Sequence, residues 1–418
     1  MAIIQTQGVR MQTIHINLVS DQLLPNLIPT FADKECQGVV LVLGDNTQRE
    51  KAETLKHLYN GRGMPILWTS EGSSSHRPAQ LQEQAQALIH WLETHHGNAR
   101  WILNATCGTK PMALVFANAF NRFNSEHPES ASGGIPRALI FYVDSQNLEI
   151  PLLNDGVDYA LKWEPVLSMD EMLAANGFER QTWIGKHNDD EIQARAELTR
   201  YLGKQFQGPC QGMQSSLQGM AADACKNFPQ QQEQSMPSVP FGPYAALYQQ
   251  LVAASLLHWD GCSKLIRFAS EDACRYLAGR WLEELTYLTA QEYGFSEVAM
   301  SVEGEWQTEA LRQQSVRGKN NEFDVLICHN NQLLTIECKA KYWGEHQQGE
   351  STNQDVVLKL ESLGRKLGGL FGERLLISAR PLPDEMVQRA KDNRIALCDR
   401  ADGQAIHTTL QSYFNKMQ

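Results

Sequence analysis

Residues 321–341 read NEFDVLICHNNQLLTIECKAK. Two aliphatic runs flank Asn330 and Asn331, a pair suited to a tight hairpin turn because asparagine tolerates left-handed backbone angles. If His329 lies opposite Gln332, the register brings Asp324 opposite Glu337. One face then carries Phe323, Val325, Ile327, Leu334, Ile336 and Cys338, an apolar set that belongs against a core. The other carries Glu322, Asp324, Thr335, Glu337 and Lys339. Two opposed carboxylates about 5 Å apart repel by about 3 kcal/mol at an effective dielectric of about 20, and sheets disfavour like charges in that position. A divalent cation between them reverses the sign, and hard oxygen ligands suit Mg²⁺ or Mn²⁺. Lys339 projects to the same face, where it can orient a water or stabilise charge developing on a phosphate. A solvated polar face has the same spacing, so the hairpin alone leaves both readings open.

Upstream, residues 279–294 read GRWLEELTYLTAQEYG. Trp281, Leu285 and Leu288 form a helical apolar stripe with Leu282 beside it. Glu283 and Glu284 follow at its start, and a helix placed here can deliver one more carboxylate to the hairpin.

Asp324, then Glu337-Cys338-Lys339, after a Trp-Leu-Glu helix, resembles the PD-(D/E)xK nuclease superfamily, with Phe323 standing where the motif has proline. The resemblance implies a C-terminal α/β domain of restriction-endonuclease type that hydrolyses phosphodiesters in DNA or RNA with Mn²⁺ or Mg²⁺. It assigns catalysis to Glu283, Asp324, Glu337 and Lys339, with Glu283 a better match than Glu284 for the helix glutamate. Its metal set is Asp324, Glu337 and Cys338. Lys341, Lys359, Arg365 and Lys366 are further candidates to touch phosphates, although solvated helix charges would look the same.

The N-terminal part has a different rhythm. Apolar strand segments at 13–19, 38–43, 64–69, 100–103 and 138–143 alternate with helical segments at 23–31, 49–58, 79–94 and 111–121. That βαβα pattern predicts a doubly wound, mostly parallel sheet, whose ligands bind beyond the carboxyl ends of the strands. The loop after the fourth strand lies within WILNATCGTKPMAL, residues 101–114. Gly108 permits a close backbone approach, and Pro111 suits a first helical turn. Met112, Val115, Phe116, Ala119 and Phe120 give that helix a stripe to bury. Its free N–H groups and Lys110 attract anions, and Thr106 and Thr109 offer hydroxyls. Neither GxGxxG nor GxxxxGK[ST] is present, so neither NAD nor ATP is expected.

NATCGTKPM at residues 104–112, together with LVSDQLLPN at 18–26, resembles the CRISPR-associated Rossmann-fold (CARF) domain. That likeness implies a homodimer sensing cyclic oligoadenylate, with the tetra-adenylate the expected ring. Ser20, Asp21 and Gln22 on one loop, and Thr106, Gly108, Thr109 and Lys110 on another, would line the pocket, with Asp144, Ser145 and Gln146 as weaker candidates. A CARF domain followed by a PD-(D/E)xK domain is similar to the Card and Can nucleases of type III CRISPR antiviral defence. Two alternatives stay open: an ungated repair or restriction nuclease, and a non-enzymatic regulator that senses the nucleotide.

The whole chain has 418 residues, 42% of them hydrophobic and 20% charged, ordinary values for a globular protein. No apolar run reaches the ~18 residues of a membrane span. Nine cysteines without a CxxC pair argue against a disulfide framework, and a cytoplasmic protein with reduced thiols is expected. Cys107, Cys328 and Cys338 read as small core hydrophobes. The formal charge of −11 argues against permanent coating of nucleic acid. The expected division is a CARF-like sensing domain at 1–150, a helical connector at 151–263 and a nuclease domain at 264–418. Residues 205–240, rich in Gln, Gly, Ser and Pro, read as a mobile insert in the connector.

Overall fold

A computed structural model describes residues 11–72, 77–128, 131, 132, 134–208, 210–307, 320–341, 343 and 353–418. The chain divides into two compact units: residues 1–179 with 306–319 and 369–371, and residues 180–305 with 320–368 and 372–418.

The first unit runs β1 (Thr13–Leu18), α1 (Leu24–Ala32), β2 (Cys36–Val42), α2 (Arg49–Gly61), β3 (Ile66–Thr69), α3 (Pro78–His96), β4 (Arg100–Asn104), α4 (Lys110–Glu126), β5 (Ala138–Phe141) and α5 (Met169–Ala175). Its strands form one sheet in the order β3-β2-β1-β4-β5, every neighbouring pair parallel. This is the doubly wound arrangement expected from the alternation of strands and helices. β1, at the centre, is buried along its whole length. Ile14, Ile16 and Leu18 pack into a core with Leu88, Met112 and Phe116 of α3 and α4. Thr13, His15 and Asn17 alternate with them and are equally buried. They turn to the side of α1 and α2: Thr13 and His15 bond Asp33 at 2.6 and 2.9 Å, and Asn17 donates to Tyr59 Oη at 2.8 Å.

The second unit continues with β6 (Phe178–Ile184), α6 (Asp190–Ala194), α7 (Ala196–Phe206), α8 (Gln211–Lys226), β7 (Glu233–Ser235), α9 (Pro243–Ala253), β8 (Leu257–His258), β9 (Leu265–Phe268), α10 (Glu271–Arg275) and α11 (Trp281–Gln291). It ends with β10 (Glu297–Trp306), β11 (Asn320–His329), β12 (Gln332–Lys339), α12 (Asn353–Gly368), β13 (Gly372–Ser378), α13 (Asp384–Asp392), β14 (Ala396–Cys398) and α14 (Gly403–Lys416). Six strands make a mixed sheet, β14-β13-β12-β11-β10-β6. β10, β11 and β12 are antiparallel, whereas β12, β13 and β14 are parallel. The hairpin register is the expected one, from His329↔Gln332 to Val325↔Ile336. Asn330 and Asn331 both have positive φ, 46° and 62°, the requirement of a type I′ turn.

One expectation is corrected. Residues 211–226, read as part of a mobile insert, form α8, with Leu217, Ala221 and Ala224 buried in the second unit's main core. Residues 151–179 group with the first unit and 180–263 with the second. The second face of the hairpin is also covered rather than solvated along its length. Thr335 is 2% exposed under α12, where a Cβ on Gly364 would sit 3.7 Å from the Thr335 Cβ. Only the end of the hairpin that carries Glu322, Asp324, Glu337 and Lys339 reaches a cleft. Among the described residues no helix is long and apolar enough to cross a membrane.

Candidate nuclease centre and nucleotide crevice

β11 and β12 bring Asp324, Glu337 and Lys339 together. The Asp324 carboxylate accepts from the Cys338 backbone N–H at 2.7 Å and from Lys339 Nζ at 3.1 Å. The same ammonium lies 2.6 Å from Glu337 Oε1 and donates to the Cys338 carbonyl at 3.1 Å. One cation therefore sits against both acids, which lie just beyond the last paired residues, Val325 and Ile336.

α11 supplies the third acid. A wide turn at Tyr276–Arg280 contains non-helical Gly279 and precedes α11, whose first turn carries both glutamates. Trp281, Leu282, Leu285 and Leu288 bury the stripe. The two glutamates then diverge. Glu284 is fully buried and forms a two-pronged pair with Arg195, whose Nε donates to Oε2 at 2.8 Å and whose Nη2 donates to Oε1. Glu283 lines the cleft with Glu303, Glu322 and Lys339. Arg195, which no local pattern announced, thus engages Glu284, while Glu283 stands on the cleft wall.

The electrostatics of the cleft are those of excess buried negative charge. Burial, then the Asp324 carboxylate, raises the Glu283 carboxyl well above its usual range. Burial and Asp324 likewise raise Glu337, against the pull of Lys339. Glu322, opposite Glu303 in the β10–β11 ladder, is pushed up by burial, Asp324 and Glu303. Burial works against the charge on Lys339, but Asp324 and Glu337 outweigh it and hold the ammonium above its ordinary value. Each carboxyl that is forced towards its protonated form marks charge that a cation would stabilise.

The oxygen donors fit a hard divalent cation: the Asp324 and Glu337 carboxylates and the Cys338 carbonyl, all already gathered by an ammonium. The Cys338 sulfur does not fit. It is buried among apolar residues with its Sγ donating to Thr286 Oγ1 at 3.5 Å, and burial pushes the thiol up. Cys338 can contribute only its main chain, which corrects any reading of its side chain as a ligand. Among the described residues no group of three His, Cys, Asp or Glu side chains is close enough to hold a metal unaided. Of the remaining basic candidates, Lys341 lines the cleft. Lys359, exposed on α12, lowers Glu322 and Glu337 by its charge. Arg365 is engaged by Glu361 at 3.6 Å on its own helix, and Lys366 is exposed there.

The first unit holds a second site of a different kind. β1 and β4 are neighbours from which the strand order runs in opposite directions, so their carboxyl ends form the crevice where doubly wound folds bind ligands. The loop after β1 carries Ser20, Asp21 and Gln22, and the loop after β4 carries Thr106, Gly108, Thr109 and Lys110. Cys107 joins the loops: its Sγ donates to the Gln22 carbonyl at 3.4 Å, and burial pushes the thiol up to about 12. Gly108 has φ +77°, and a Cβ there would come within 2.9 Å of Leu18 Cβ. Thr109 caps α4, accepting from Met112 N at 3.4 Å. Thr106 Oγ1 accepts from Val143 N at 2.7 Å, and Ser20 Oγ donates to the Gln22 carbonyl at 3.0 Å. Asp21 and Lys110 are exposed. Asp144 is occupied by its own turn, accepting from the Gln146 and Asn147 amides.

Beneath these loops lies a polar network that the sequence did not reveal. Asn104 donates to the Pro25 carbonyl at 2.7 Å and to Asn26 at 3.0 Å, while Asn26 donates to the Leu18 carbonyl at 3.1 Å. Its one visible signal is Asn104, which ends the apolar run Trp101–Leu103 of β4.

Family models match both ends of the chain. Residues 14–127 match the family model of the Card1 CARF domain, and residues 270–417 match that of the Card1-like endonuclease domain. No curated protein matches the chain. Two solved structures resemble it over nearly their full lengths. One is Can2 from Sulfobacillus thermosulfidooxidans in complex with cyclic tetra-adenylate: 23% identity, TM-score 0.73, covering 97% of this chain and 98% of that one. The other is protein VC1899 from Vibrio cholerae: 21% identity, TM-score 0.76, with the same coverage. At these identities the likeness speaks to the fold.

Proposed function

Because this chain joins a CARF domain of the Card1 kind to a Card1-like endonuclease domain, we propose that it is a cyclic-oligoadenylate-activated nuclease of type III CRISPR defence. The observation that carries the reading is the pairing of Lys339 with both Asp324 and Glu337 in a cleft that Lys339 lines with Glu283. Asp324, Glu337 and the Cys338 carbonyl would hold Mn²⁺ or Mg²⁺. When bound, such an ion polarises a phosphodiester and lowers the pKa of water.

The chain's own groups do the rest. Lys339 is held in its charged form, so it acts as a donor to a phosphate oxygen or to the attacking water, not as a base. Glu283 binds its proton more tightly than an ordinary glutamate, which leaves it able to share that proton with a neighbouring oxygen. The substrate is DNA or RNA.

Cyclic tetra-adenylate, the ligand in the Can2 complex, is the proposed activator. Ser20, Asp21, Gln22, Thr106, Gly108, Thr109 and Lys110 would contact it across a homodimer. A ligand of this kind gates the nuclease by differential affinity for two arrangements of the protein. The test is incubation of the full chain and Mn²⁺ with labelled single-stranded DNA or RNA, with and without cyclic tetra-adenylate. Cleavage confined to the arm with activator supports the reading; equal cleavage in both arms overturns gating, and none in either overturns the nuclease.

A further inference from the structure

The cleft around Glu283 has a wall in which Lys341 is joined by residues of α8 and α10 that the sequence reading did not single out. Ala222, Cys225 and Lys226 of α8 line it, together with Arg275 at the end of α10 and Lys341 just beyond β12. The chain carries a formal charge of −11, yet Lys226, Arg275, Arg280, Lys339 and Lys341 all line this cleft, facing Glu283, Glu303 and Glu322 and, at Lys339, Asp324 and Glu337. Within an acidic protein, basic side chains are gathered around the catalytic acids.

Three of these cations are open to a phosphate, two of them through replaceable partners. Lys226 has Asp223 one turn back at 3.7 Å, both side chains about two-thirds exposed. Arg275 is likewise paired with Glu271 on its own exposed turn. Exposed pairs of this kind hold their charges weakly and are screened by salt, so a phosphate can take over either cation. Lys341 lies over the Trp343 ring, 5.2 Å from its centroid. That ring is anchored by its Nε1–H donating to Ser378 Oγ at 2.8 Å, which leaves the ammonium positioned and without a carboxylate partner among the described residues.

We propose that Lys226, Arg275 and Lys341 bind successive phosphates of the substrate strand, and that α8, within the glutamine-rich segment, is a substrate-binding wall of the nuclease. The inference rests on the nuclease reading above and adds the strand-holding groups to it. Contacts to phosphates carry no sequence information and release counterions, so they write themselves into the salt dependence.

The experiment measures initial rates on labelled single-stranded DNA, with activator and Mn²⁺, over a series of salt concentrations. The proteins are the wild type, Lys226→Gln, Arg275→Gln, Lys341→Gln and the triple variant. Each single variant is expected to raise KM several-fold with kcat within about twofold, and to lower the log–log salt slope by about 0.7, the triple by about 2. Lys341→Arg is expected to restore the wild-type slope. Unchanged KM and slope in the triple variant overturn the proposal. If the wild type cleaves nothing, the nuclease reading falls, and the same variants are read by fluorescence anisotropy of strand binding: a shallower slope in the triple variant upholds the phosphate contacts, and an equal slope overturns them.

Discussion

The crevice between β1 and β4 and the cleft at the end of β11 and β12 hold their polar groups in opposite ways. In the crevice the buried groups are neutral amides and hydroxyls, and Asn104, Asn26, Thr106 and Ser20 each have a hydrogen-bond partner inside the unit. In the cleft the groups are charged, with Glu337 buried, Glu283 half-buried and Glu322 exposed, and all three are driven towards protonation. A satisfied neutral network fixes a shape at little electrostatic cost, which suits a loop that must recognise a ligand and release it. A crowd of carboxylates is costly until a cation arrives, which suits a site that works only when loaded. The two regions thus separate recognition from chemistry within one chain.

The largest effect that sharpens this contrast is at Lys339. Lys339→Ala should lower the cleavage rate by at least about 10²-fold and leave the affinity for cyclic tetra-adenylate unchanged, as initial rates and calorimetry on the same preparation would show.

Next come the neighbouring glutamates. Glu284→Ala removes the fully buried, two-pronged partner of Arg195 and leaves it, among the described residues, only Asp272 at 3.7 Å, and should cost about 3–5 kcal/mol in urea unfolding. Glu283→Gln should leave stability within about 1 kcal/mol, because it removes a buried charge that lacks a close partner, while reducing cleavage. An equal loss of stability in both variants would erase the distinction between a structural and a catalytic acid.

Gly108 tests the crevice. Gly108→Val forces a branched residue to φ +77° against Leu18, at about 1–2 kcal/mol of strain. More activator should then be needed for half-maximal cleavage, with the rate at saturation unchanged.

The smallest effect is at Asp33. Burial opposes its charge, but His15 and Thr13 hold the carboxyl below its usual value of 3.8. Its stabilising contribution is therefore full above pH 3.8 and lost as the pH falls through the folded-state value, where the unfolded chain binds the proton first. Asp33→Asn should cost about 1 kcal/mol at pH 7 and flatten the acid limb of the unfolding profile.

The elements that were legible in the sequence are those whose pattern is local. The parallel sheet followed from five apolar segments spaced by helices. The hairpin register followed from two asparagines able to take positive φ and from residues alternating between faces. What stayed hidden depends on distant partners. Arg195 lies far in sequence from Glu284, so nothing near either residue announces the pair. α8 is short of strong hydrophobes, and its buried positions Leu217, Ala221 and Ala224 give a weak stripe amid glutamine and glycine. Tertiary packing supplies what its composition does not. The cover over Thr335 comes from α12, a helix that the hairpin alone could not foretell. In the candidate site Glu283, Asp324, Glu337 and Lys339 were all readable, whereas the part of Cys338 that faces the acids, main chain and not sulfur, required the fold.

The most direct measurement is the anomalous difference density of a crystal of the full chain grown with Mn²⁺. The account predicts a peak bound by the Asp324 and Glu337 carboxylates and the Cys338 carbonyl. Density only elsewhere, with Lys339 still bridging the two acids, would contradict it.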